Sequence, residues 1–164
     1  MISRRLRATA AFATAIWAFV LLLPGGAFAQ SKPSGVYKGY GTPAALTQVV
    51  AYKGEPESGK PVTVLLFSAK SQAGSSKPPF DALFGKFGDA LVVKIDPDGK
   101  VLSLDLMHSK LDSPSGSIQV FGVLKMTDFN MADGKISGHL TSGGPSKVRD
   151  QTWEVDLTFE TKAP

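Results

Sequence analysis

The sequence predicts an antiparallel β-sandwich of about eight strands with one short helix, and three stretches carry that expectation. Near the C-terminus Trp153, Val155, Leu157 and Phe159 alternate with Thr152, Glu154, Asp156, Thr158 and Glu160, the period of a strand with one buried face. In the middle, Leu91, Val93 and Ile95 alternate with Val92, Lys94 and Asp96. Asp96-Pro97-Asp98-Gly99 then supplies turn chemistry, and Val101 to His108 returns as a second strand with Leu102, Leu104, Leu106 and His108 on one face. Val62 to Ser68 is apolar on both faces and rich in branched residues, which suits a central strand. An eight-stranded meander barrel is the alternative closure of the same strands.

The first 29 residues stand apart from this pattern. Arg4, Arg5 and Arg7 form a charged start, Ala8 to Leu23 an apolar run, and Ala27-Phe28-Ala29 a small-x-small cleavage site. The expectation is a signal peptide over 1–29, removed after Ala29, so that the domain is exported to a periplasmic or secreted space. The apolar run is shorter than the ~20 residues of a membrane span. Retention as an anchor is the competing outcome; after cleavage no span is expected. Residues 30–34 read as a flexible lead and 35–162 as a single β-domain.

Charge narrows the partners. Removing three of the 18 basic side chains with the leader leaves 15 against 14 acidic ones, a net +1. The basicity of the whole chain therefore belongs mostly to its leader. It is no argument for nucleic acid or an anionic membrane. There is no cysteine, so the fold must be held by packing and backbone pairing without disulfides. About 135 mature residues suffice for one hydrophobic core.

In chain order, Gly35 to Gly41 reads as a glycine-rich strand at an edge or bend, and Pro43 ends it. Leu46 to Lys53 is a strand with Val49 and Ala51 on one face and Gln48, Val50 and Tyr52 on the other. Gly54 to Gly59 and Ser71 to Pro79 are loops. Pro78-Pro79 suits a helix start, and Phe80, Leu83, Phe84 and Phe87 follow at i, i+3, i+4 and i+7. That face is expected to plug an open end of the sheet core. Ser117 to Met126 reads as one long strand with Ile118, Val120, Leu124 and Met126 inward. Asp133-Gly134 is a turn, and Lys135 to Thr141 is a strand with Ile136 and Leu140 inward. Gly122 and Gly138 fall on inward positions, leaving room for a bulky neighbour such as Trp153, or marking bends. Ser142 to Asp150 is a loop.

Chemistry-bearing residues are sparse. His108 is expected at the rim of the core and is the one weak titratable candidate; His139 falls out of phase and faces solvent. Neither histidine stands in a metal-ligand spacing, so no metal and no cofactor is expected. Asp96-x-Asp98-Gly99 opens like a calcium loop, but Pro97, Lys100 and Met107 break that motif, and a β-turn explains it. No nucleophile elbow surrounds Ser115 or Ser142. A hydrolase would need His108 with Asp105 or Asp112 beside it, and Asp105 points to the opposite face. Glu154, Asp156 and Glu160 share a face that reads as solvated. No catalytic residue is assigned.

The function expected is a non-enzymatic binding or interaction module of the envelope or secreted space. Its contacts would be strand edges and the loops at 54–61, 109–116 and 142–150, its partner a protein, a glycan or a small apolar ligand. The alternative is a carrier of a small apolar molecule, whose cavity Phe80, Leu83, Phe84, Phe87 and Trp153 would line.

Overall fold

A computed structural model describes residues 31–112 and 117–164 of the chain. The expected leader at 1–29 and Ser115 lie outside the described residues. Among the described residues two antiparallel sheets face one another, with one short helix; the sandwich fits, and these residues form no closed barrel.

The first sheet runs in the order β3 (Gln48–Lys53), β4 (Thr63–Ser68), β5 (Ala90–Ile95), β6 (Val101–Met107) and β7 (Ile118–Val120). The second runs β2 (Thr42–Pro43), β1 (Ser34–Gly39), β11 (Gln151–Lys162), β9 (Lys135–Thr141) and β8 (Lys125–Ala132), with β10 (Ser146–Val148) paired to the start of β11. The alternation of β11 places Trp153, Val155, Leu157 and Phe159 in the core, opposite Leu65, Phe67, Leu91, Val93, Leu104 and Leu106 of the first sheet. Phe67 and Phe159 meet edge to face with centroids 5.3 Å apart. At one corner the Thr161 hydroxyl donates to the Val49 carbonyl at 3.1 Å and ties the end of β11 to β3.

β4 is buried on both faces, as its composition demands, and so is β5 up to Lys94. The second face exists because α1 (Pro78–Leu83) lies over the outside of β4, β5 and β6, where Ala82 and Phe87 pack on Val64, Leu66, Val92 and Met107. Val92 is therefore buried, although it alternates with the core residues of its strand. The helix covers a sheet face; it does not plug the end of the core. Short Ala82 takes the inward position, and Phe80 and Phe84 are turned outward.

Four further expectations change. Leu102 leaves the core face because the β5–β6 register slips after Lys94, pairing Ile95 with Val101. The expected strand 117–126 is two strands: β7 ends at Val120, Gly122 takes φ +71°, and the chain crosses to the second sheet to start β8. The room left by Gly138 is filled by Met126 and Phe159, whereas Gly122 has open space beside it. The loop 142–150 holds β10, a short hairpin partner of β11.

Candidate functional site

His108 follows directly after β6, in phase with Leu104 and Leu106, and sits buried at the end of the strand beside an open cleft. Its ring packs against the Cα of Gly39 on the opposite sheet, and the ring edge of Tyr37 meets it at 5.1 Å and 83°. The Gly39 N–H donates to Nε2 at 3.0 Å, the Thr42 carbonyl lies 3.1 Å from the same nitrogen, and the Lys110 N–H donates to Nδ1 at 3.0 Å. A neutral imidazole carries one proton, so it can donate to Thr42 while accepting from Lys110, or accept from Gly39. Every one of these partners is backbone. Asp105 stays on the other face, and Asp112 uses its backbone in a reciprocal pair with the Gln151 amide.

Beside His108 is an open cleft of about 440 Å³, walled by Lys70, Gly88, Asp89, Met107 and Ser109. Asp89 accepts the Ser109 N–H at 2.6 Å through Oδ1, which fixes the carboxylate at the cleft wall. The sequence pattern did not single out Asp89, because it lies between a glycine turn and a strand start with no periodic signal. Tyr37 beneath is buried, and its hydroxyl lacks a partner of good geometry. Burial, then the charge of Asp89, push its phenol well above the usual tyrosine value, against a smaller opposite pull from the Met107 backbone.

The acidic face of β11 is engaged residue by residue. Glu154 pairs with Lys38 at 3.0 Å, Asp156 with His139 at 2.8 Å and Glu160 with Lys135 at 2.7 Å, each partner coming from a neighbouring strand. His139 is thus half-buried and bonded on both sides, its Nδ1 lying 3.2 Å from the Thr127 hydroxyl. Asp96 closes its turn by accepting the N–H groups of Asp98 and Lys100 at 3.0 and 2.9 Å through one oxygen. Among the described residues no three His, Cys, Asp or Glu side chains converge as a metal site.

The five residues that would line a carrier's cavity are divided by the first sheet. Trp153 is in the core between the sheets, whereas Phe87 and Leu83 belong to the cluster under the helix on the outside. Phe80 and Phe84 belong to neither: they are 58% and 67% exposed and stack on each other with centroids 5.0 Å apart. No family model, no curated protein and no solved structure matches the chain.

Proposed function

We propose that the chain is an exported, non-enzymatic β-sandwich that acts as a binding or interaction module of the cell envelope or secreted space. The observation that carries this reading is the contrast between its two kinds of surface group. Both histidines and the β11 carboxylates are committed to backbone or cross-strand partners, whereas a pair of large aromatic rings, Phe80 on α1 and Phe84 at its C-terminal cap, stands in water. Exposed aromatic side chains together are a feature of contact surfaces, while a catalytic centre needs a base free to reach a substrate. The leader-like residues 1–29 support the export half of the reading.

The test is retention of envelope components on the immobilised protein, run beside a hydrolysis panel of ester, glycoside and phosphoester substrates. Specific retention lost on substituting Phe80 and Phe84 is the expected result. Turnover of any substrate that disappears in His108→Ala, without specific retention, overturns it.

A further inference from the structure

The reading as a binding module leaves the partner open, and the surroundings of Phe80 and Phe84 narrow it. We propose that the α1 face is a peripheral membrane-docking surface, which inserts these two rings at the interface of an anionic lipid bilayer while neighbouring lysines meet the headgroups. The proposal rests on the binding-module reading and names its partner.

Three features of this face point to lipid. Phe80 stands on α1 and Phe84 caps its C-terminal end, and the two exposed rings stack with centroids 5.0 Å apart, so both can enter one interface together. Lysines flank them: Lys77 immediately precedes the helix, Lys86 follows it, and the stem of Lys70 runs over Gly88 beside the helix end. Asp81 holds Lys86 at 2.6 Å and accepts the Ser75 hydroxyl at 2.6 Å, so those two charges offset each other and leave Lys70 and Lys77 for the headgroups, while Asp89 is turned to the Ser109 amide. Lys70 and Lys77 are exposed and form no ion pair with any described residue. The near-neutral mature charge does not reveal this local arrangement.

The small apolar area of the two rings favours a lipid interface over a protein partner or a second copy. At 150–250 Å² per aromatic side chain, the exposed parts of the two rings amount to roughly 250 Å². A stable protein interface needs about 800 Å² from each side. An interfacial anchor needs less, because a few aromatic rings and a few lysines act together, the rings through apolar burial and the lysines through the negative surface potential.

The absence of cysteine from the chain allows a direct test. Phe84→Cys in the full chain is labelled with an environment-sensitive fluorophore and mixed with vesicles of phosphatidylcholine, with or without phosphatidylglycerol. Thr158→Cys, on the exposed face of β11, is the control, and it reports whether residues 1–29 merely hold the chain near lipid. The expected result is a blue shift and quenching by lipid-borne quenchers at position 84 with anionic vesicles only. Lys70→Gln and Lys77→Gln should each raise the lipid concentration at half-signal about fivefold. No shift at position 84, or an equal shift at position 158, overturns the proposal. A shift that grows with protein concentration without lipid assigns the face to a second copy and also overturns it. Specific retention of an envelope protein, with no vesicle signal, sinks the lipid assignment and leaves the binding-module reading standing.

Discussion

The backbone N–H of Gly39, on β1 of one sheet, lies 3.0 Å from Nε2 of His108, at the end of β6 in the other. The contact joins residues 69 apart in sequence and fastens the two sheets at one end of the sandwich. Only glycine fits there. A Cβ on residue 39 would fall 2.7 Å from Nδ1 and 2.9 Å from Cγ of the ring.

Gly39→Ala and His108→Ala are therefore predicted to be costly and coupled. Gly39→Ala forces the ring aside, for about 1–3 kcal/mol. His108→Ala removes a buried ring with its bonds and costs about 2–4 kcal/mol. In the double variant the clash is gone, so the loss should fall short of the sum by more than about 0.5 kcal/mol. Urea denaturation of the four proteins checks this; simple additivity would mean the two residues do not share a contact.

One hydroxyl bonds across the corner between β11 and β3, the Thr161 side chain to the Val49 carbonyl. Thr161→Val keeps the shape but removes the bond to the Val49 carbonyl, a group that stays buried. The expected loss is about 1–3 kcal/mol by thermal or urea unfolding. An unchanged stability would show that the corner is held by packing alone.

Asp105 is buried on the outer face of β6, and burial raises its carboxyl above the ordinary aspartate value, with Lys94 pulling weakly the other way. A raised value means the folded chain holds the proton more tightly than the unfolded chain. The penalty is then fully present above the folded value, is relieved as the pH falls through it, and has vanished below the unfolded value. Lys94 also pairs with Glu57 at 2.9 Å, so it is not reserved for Asp105. Asp105→Asn should accordingly be more stable than the parent at pH 7, with the advantage shrinking on acidification. A variant less stable than the parent at pH 7 would contradict the assignment.

Much of the fold is legible in the sequence, and what is not has physical causes. β11 is legible because one of its faces is wet and the other dry, so burial writes itself as alternation. β4 is legible because both its faces are covered. The slip at Leu102 is not, since register belongs to a pair of strands and either neighbour can supply the core residue. The break after Val120 is masked by apolar residues on both sides of it, which continue the period of a strand across the crossing. The spacing of Phe80, Leu83, Phe84 and Phe87 announces a helix face. It does not say which way the face turns, and small Ala82 won the inward position against the sheet. The partners of His108 are hidden for another reason: backbone groups carry no side-chain signature.

Phe80 and Phe84 are predicted to matter for contact and not for folding. Because both are exposed, Phe80→Ser with Phe84→Ser should change stability by less than about 0.5 kcal/mol per site. Circular dichroism melting checks this. A larger loss would place the rings among the packing residues of α1 and remove the reason to treat them as a contact surface.

The most direct measurement of the binding-module reading is a residue-resolved one: amide correlation spectra of the isotope-labelled protein, titrated with envelope extract. The binding-module reading predicts perturbations concentrated at α1 and its immediate flanks, from Lys77 to Phe84, with the amides of Met107 to Ser109, of β9 and of the middle of β11 unmoved. Perturbations centred on the His108 cleft, accompanied by conversion of a component of the extract, would contradict it.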